Sequence, residues 1–363
     1  MTSLLLVLLA QTRLTLPAAD QERRYVLAEW TAPDERDVQL RAADGTVRPT
    51  QREGKLVRWL IPRIPAGAAV EWTVEPAGKT DGLTLVDDPG GWISIRAPDR
   101  EITRYYFGDS AKKFRHPFYY PLVGGGVNVL RGHPIEDRAG EAKDHPHHTG
   151  IFHTHDEVNG HDYWSMKHAI VPGGILGRAT GPVYARLTVQ HAWGEDLDET
   201  QDVRVLNAGT DALMEFTITL TAARGPVEIG KTKEGTFALR LTTGLTKAGK
   251  VTMVDALGNA GEPKIRAAAA PWVDYAGTVD GKPVGVALMN HPSSFRAPTN
   301  WHVRDYGLFS ANPYYVTGAH RMAKGDSITL RYRILVHSGD AKAADVAAVY
   351  AGYVVPAVAA VKP

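Results

Sequence analysis

The period of its apolar residues constrains this chain more than any other feature. Ile328, Leu330, Tyr332, Ile334 and Val336 alternate with Thr329, Arg331 and Arg333. That two-residue period belongs to a strand buried on one face. Val183, Ala185, Leu187 and Val189 alternate in the same way with Tyr184, Arg186 and Thr188, and Leu213 to Thr221 (LMEFTITLT) is β-branched and apolar. Residues 55–61 (KLVRWLI) and 68–74 are further strand-like runs, parted by Gly and Pro. No rhythm of alternating helices interrupts them, so the reading is all-β, with a large antiparallel β-sandwich as its main body. The turn cluster Asp87-Asp88-Pro89-Gly90-Gly91 is taken as a boundary. A small β-sandwich-like domain is expected over 17–88, the large sandwich over 89–340, and a short helix with a tail over 341–363. Asp340 is the expected cap of a helix from Ala341 to Tyr350, ended by Gly352, and the tail VVPAVAAVKP is expected to be loosely held.

Charge and composition narrow the function classes. The chain has 363 residues, 44% of them hydrophobic, which supports a sizeable core. Its 41 basic and 40 acidic side chains leave a formal net charge of +1, and no long Lys/Arg run exists. Nucleic-acid binding needs a clustered positive field, so that class is not expected. With no cysteine there is no disulfide, thiolate metal site or Cys nucleophile. Leu4 to Ala10 is apolar and at the extreme start. It suits the h-region of a secretory signal over residues 1–16, although no Lys or Arg precedes it. Export to the periplasm or beyond is therefore expected. No later segment approaches the ~20 apolar residues of a membrane-spanning helix.

Histidine is concentrated where chemistry is expected. Six of the 14 histidines fall between positions 145 and 161: His145, His147, His148, His153, His155 and His161. Asp144, Asp156, Glu157 and Asp162 lie among them in DHPHHTGIFHTHDEVNGHDYW. Imidazole is suited to proton transfer near neutral pH and to binding transition metals. His153 and His155, two residues apart, share one face of any strand that carries them. His147, His153 and His155 are candidate ligands for one divalent metal ion, and a hydrogen-bonded loop without catalysis is the bland alternative. No HExxH, P-loop, dinucleotide glycine pattern or GxSxG elbow is present.

Three flanking stretches supply further candidates. Arg115 and Tyr119 sit in KFRHPFYYPL, where aromatic faces stack on sugar C–H faces and Arg binds hydroxyls. Glu234, in KTKEGTFALR with Arg240, stands beside a glycine at a strand start and is the candidate general base. A polar, Pro-rich loop after Val284 to Leu288 carries His291, Arg296, Asn300, Trp301 and His302. A small molecule or oligosaccharide, probed by these groups, is the expected partner.

The stretches HPFYYPL, DHPHHTGIFHTHDEVNGHDYW, KTKEGTFALR and GVALMNHPSSFRAPTNWHVRDYGLFSANP resemble a bacterial family catalogued as methane oxygenase PmoA, or PmoA-like, over roughly residues 90–340. His145, Pro146, His147, His148, Asp156, Val158, Asn159, Gly160, Asp162 and Trp164 carry the match. Glu157 departs from the pattern, and His153 stands where the family has an aromatic. Methane oxidation is not expected, since that subunit is a membrane protein and no segment here spans a membrane. The arrangement is also distantly similar to galactose-mutarotase-like supersandwich proteins. That similarity implies a histidine and a late carboxylate acting as acid and base on a sugar ring. On this reading His148 or His155 is the acid and Glu234 the base. Arg115, Arg240 and Arg296 bind oxygens or a carboxylate, and Trp164 or Trp301 stacks on the ring. Tyr119, His145, His147, Asp156, Asn159, Asp162, His291, Asn300 and His302 complete the expected binding set. The expected function is an exported carbohydrate-active enzyme: epimerase, lyase or glycoside-cleaving. A metal-dependent enzyme and a non-catalytic glycan-binding module are the alternatives.

Overall fold

A computed structural model describes residues 12–362. Its main body is two antiparallel sheets. The nine-stranded sheet runs in the order Asn300–Val303, Leu308–Asn312, Gly235–Arg240, Ile151–His155, Phe118–Gly124, Glu101–Tyr106, Trp92–Arg96 and Thr84–Asp88, with Val127–Asn128 beside Phe118–Gly124. The eight-stranded sheet runs Ile170–Ala179, Tyr184–Trp193, Leu197–Leu206, Ala212–Thr221, Ser327–Ser338, Lys282–Asn290, Trp272–Val279 and Thr252–Asp255. The strands with the cleanest alternation all lie in this second sheet. Tyr184–Trp193, for example, alternates between buried and partly exposed positions along most of its length.

Aromatic rings fill the space between the sheets. Phe237 stacks on Tyr332 with centroids 4.6 Å apart, and Phe309 meets Tyr275 at 4.5 Å. Side chains in register with Phe237 and Phe309 therefore face the core, and their neighbours along each strand face outward. The expected all-β antiparallel sandwich is the fold observed.

A smaller pair of sheets precedes it. One holds Ala360–Val361, Arg13–Leu16, Val70–Pro76, Val38–Ala42 and Val47–Pro49; the other holds Arg23–Thr31, Leu56–Ile64 and Gln51–Glu53. Trp59 and Trp72 meet edge-on at 5.2 Å in their common core.

Four expectations change. Leu4–Ala10 lies outside the described residues, but Arg13–Leu16 is a paired strand with Leu14 and Leu16 buried. A leader that is cleaved without loss of this strand ends before it, not at residue 16. The Asp87–Gly91 turn joins two strands of the same sheet, Thr84–Asp88 and Trp92–Arg96. The large sheet thus begins upstream of the turn. The tail is tied down: Ala360–Val361 pairs with Arg13–Leu16, and Ala357 and Ala359 enter the small core. The last helix is Val346–Val354, capped by the Asp345 side chain accepting from Ala348 N–H, while Asp340 accepts from Ala343 N–H in the turn before it. Among the described residues no helix is long and apolar enough to cross a membrane.

Candidate functional site

The strand Ile151–His155 divides the histidine cluster between two environments. His153 and His155 face the core, in register with Phe237 and Gly235. His153 Nδ1 lies 3.1 Å from Glu199 Oε2 on the opposite sheet. Glu199 also contacts His191 Nδ1 at 3.3 Å and accepts from Trp193 Nε1–H at 2.5 Å; His191 Nε2 in turn meets the Tyr105 hydroxyl at 2.7 Å. His155 Nε2 donates to the Gly230 carbonyl at 3.0 Å. A Cβ on Gly235 would come within 2.2 Å of His155 Nδ1, so glycine is what admits the ring.

Phe152 and Thr154 face the other way, out of the sandwich. Register places His302, Ser310, Ala238 and Phe152 in one row across this outer face. His148 packs on Phe152 at 5.9 Å, and Trp164 meets both, at 5.3 Å from His148 and 5.2 Å from Phe152. His145 stacks between His148 at 4.9 Å and Tyr306 at 5.2 Å, and His147 stands edge-on to His148 at 4.4 Å.

Arg131 fixes the loop that carries these histidines. It donates to the carbonyls of Ala142, Asp144, His145 and His148, and to Asp144 Oδ1 at 2.5 Å. Arg240 Nη2 donates to the same carboxylate oxygen at 2.7 Å, while His145 Nδ1 donates to Oδ2 at 2.7 Å. Arg240 Nη1 faces His148 Nδ1 at 3.4 Å. Guanidinium only donates, which assigns the His148 ring proton to Nε2.

Titration follows from burial and crowding. Burial, then His147 and Arg240, hold His148 well below the ordinary imidazole range. Burial, then His145, push His147 down to about 4. Burial raises Asp144, but Arg240, His145 and Arg131 together bring it below the usual carboxylate range. Asp156 goes the other way: burial, with Asp162, Glu234 and Glu157 nearby, pushes it up to about 6. Its N–H donates to the Glu234 carbonyl at 3.1 Å, so two acidic residues come from adjoining chain segments.

This face also gathers buried polar atoms that no other group satisfies. They are His148 Nε2, Trp164 Nε1, Thr154 Oγ1, Asp156 Oδ1 and both nitrogens of His302. Buried polar atoms are normally paired, so six on one surface point to a polar ligand.

A model described as a family of unknown function, DUF6807, matches residues 92–351. The chain belongs to that family. The matched stretch of this DUF6807 chain includes the His-bearing loop and every residue of the outer face. No curated protein matches it. Among solved structures, a glycosyl hydrolase family 38 protein from Enterococcus faecalis is similar at TM-score 0.46 and 11% identity, covering 97% of this chain and 47% of that one. An alpha-mannosidase from Enterococcus faecalis V583 gives TM-score 0.46 at 10% identity, with 97% and 46% covered. A GH36 alpha-galactosidase from Geobacillus stearothermophilus, in complex with raffinose, gives TM-score 0.34 at 10% identity, with 71% and 41% covered. The chain spans less than half the length of each.

Of the residues expected at the site, His145, His147, His148, Trp164, Arg240 and His302 meet on the outer face, with Glu234 and Asp156 at its edge. The others lie elsewhere. His155 and Tyr119 are inside the sandwich, Tyr119 against Phe216 at 5.4 Å. Trp301 is a core residue whose Nε1–H donates to the Ala270 carbonyl. Asn300 donates to the Ala267 carbonyl. Asn159 ties Asp196 to Glu228 N–H. Asp162 stays at the margin of the site: it accepts from Ser165 N–H and pairs with Lys167, yet is close enough to act on Asp156 and His147. Arg296 holds the carbonyls of Pro313, Gly318 and Ala319, and His291 bonds Ser293 beside the last helix. Arg115 lines a separate, mainly apolar cavity of about 440 Å³ with Lys112 and Ile170.

The sequence reading left out Asp144, Arg131, Tyr306 and Thr154 as site members. Period-two spacing alone would have paired Thr154 with Phe152. Arg131 and Tyr306 carry no local signal, since both reach the site from distant loops. The proposed metal ligands are not brought together: His147 is outside the sheet, His153 and His155 inside. Among the described residues no group of three or more His, Asp or Glu side chains has metal-binding geometry.

Proposed function

We propose that this protein is a carbohydrate-active enzyme that moves protons on a sugar or glycoside bound to the outer face of the nine-stranded sheet. One observation carries the reading: the cluster of unsatisfied buried polar atoms around Phe152 and Trp164. Sugar hydroxyls both donate and accept. They match a surface that offers donors at His148 Nε2 and Trp164 Nε1, a carboxyl at Asp156 that donates when protonated, and a hydroxyl at Thr154.

Asp156 and Glu234 divide the chemistry. Asp156, raised to about 6, changes protonation near neutral pH and serves as the acid toward a ring or glycosidic oxygen. Glu234 serves as the base toward a hydroxyl, a ring C–H or water. His148 stays neutral and donates Nε2–H to a substrate oxygen, so its role is polarisation and not proton delivery. The acid role expected of His155 passes to Asp156, because His155 faces the core.

Export is part of the same proposal, supported by the apolar run Leu4–Ala10 and tested by cell fractionation. So is kinship with the PmoA-like proteins, supported by the quoted motifs.

The test is a turnover screen of glycosides and reducing sugars. Asp156→Asn and Glu234→Gln should each lower kcat by ~100-fold or more. Loss below threefold in both overturns the assignment.

A further inference from the structure

Tyr306 lies between two groups in which a single carboxylate serves two arginines. On one side Asp144 binds Arg131 at 2.5 Å and Arg240 at 2.7 Å. On the other, Glu262 binds Arg304 at 3.0 Å and Arg266 at 3.8 Å. The guanidinium carbons of Arg240 and Arg304 stand 4.5 Å and 5.2 Å from the Tyr306 ring centroid. Each group has one more cation than it has carboxylates.

The surrounding acids do not remove that surplus on the Glu262 side. Glu141 stands behind Arg131, where it accepts from Gly132 N–H and Thr242 Oγ1–H. Glu234 pairs with Lys233 at 3.3 Å, and Asp305 with Lys247 at 3.6 Å. No other carboxylate forms an ion pair with Arg304 or Arg266 among the described residues.

His302 sits beside this surplus. Two residues before Arg304 on an extended segment, it shares the outer face with it. Its ring is buried; burial first, then Arg266 and Arg304, push it down to about 4 against one backbone contact with Lys233, and no side chain hydrogen-bonds either nitrogen. An imidazole kept neutral among cations can donate a ring N–H to an anion drawn in by the neighbouring arginines.

We propose that the ligand carries an anionic substituent, a carboxylate or a sulfate ester, which docks against Arg304, Arg266 and His302. The proposal rests on the sugar-binding reading above and narrows it to acidic glycans. Guanidinium matches the two oxygens of either group in a fork that a neutral hydroxyl does not use.

The experiment is a glycan array of matched acidic and neutral members, probed with the full chain and with Arg304→Gln and Arg266→Gln. Arg266 is partly exposed, so its variant keeps the test alive if Arg304→Gln fails to fold. Acidic members should bind, more weakly as salt rises, and each variant should lose ~10-fold or more in affinity for them. Uronate and sulfated members in separate arms identify which anion is read. Binding confined to neutral members, or acidic binding that neither variant changes, overturns this proposal and leaves the sugar reading standing. Binding to no member overturns the sugar reading, and this one with it.

Discussion

Glu199 lies 3.1 Å from His153, across the space between the two main sheets. The carboxylate is fully enclosed and also holds His191, Trp193 and Gln201. Burial alone would raise its pKa, but His153 and His191 overcome burial and hold it well below the usual range. A carboxylate depressed in the folded state stabilises that state above its unfolded pKa of ~4.3, and the contribution is lost as pH falls toward the folded value. Stability should therefore decline below about pH 4. Glu199→Ala should cost about 3 kcal/mol or more at pH 7, because it strands two buried imidazoles. Urea denaturation of both proteins from pH 3 to 8 measures this; curves that stay parallel below pH 4 would contradict the account.

His148 and His155 are seven residues apart and should fail differently. His148→Phe keeps the ring packing on Phe152 and removes the Nε2–H donor at the ligand face. It should weaken ligand binding or turnover by ~10-fold or more with little change in melting temperature. His155→Leu should leave the ligand face intact and lower stability, by about 1–3 kcal/mol for a lost buried partner of the Gly230 carbonyl. A paired measurement of thermal melting and ligand affinity separates them, and equal effects in both variants would erase the two-sided picture.

How much of this was legible in the sequence depended on range. Alternation is local, so Ile328–Val336 and Val183–Val189 announced strands and the sandwich followed. The same alternation placed His153 and His155 on one face, but not on which face of the sheet. That choice is made by Glu199 and Trp193, more than 30 residues away. Arg131 and Tyr306 escaped notice for the same reason: each acts through a contact that no spacing encodes. The tail misled because VVPAVAAVKP looks weakly amphipathic, whereas its small alanines fit the core of a sheet begun at Arg13.

That pairing makes the tail a stability element. Ala357 accepts from Glu29 N–H, Ala359 N–H donates to Glu29, and Lys362 N–H donates to Arg13. These bonds, the pairing of Ala360–Val361 with the first strand and two buried methyls, set against the entropy of ordering the segment, amount to about 1–2 kcal/mol net. Truncation after Pro356 should lower the unfolding free energy by that amount. Hydrogen exchange should show Arg13–Leu16 and Val70–Pro76 losing protection while Ser327–Ser338 keeps it. Unchanged exchange at Leu14 would remove the tail from the fold.

Asp156 sets the last expectation, and its sign is opposite to that of Glu199. Its folded pKa, about 6, lies above its ordinary value, so the folded state holds a proton that the unfolded chain releases. Its contribution is present below about pH 4 and is lost as pH rises through 6. Asp156→Asn, which cannot ionise, should be more stable than the parent at pH 7 and equal to it at pH 4. The same change should abolish turnover, because the amide cannot deliver the proton. In the parent, the basic limb of the kcat profile should inflect near 6, where the acid form disappears. A variant that is less stable at pH 7, or a parent profile with no limb near 6, would show that Asp156 is neither strained by its burial nor the acid.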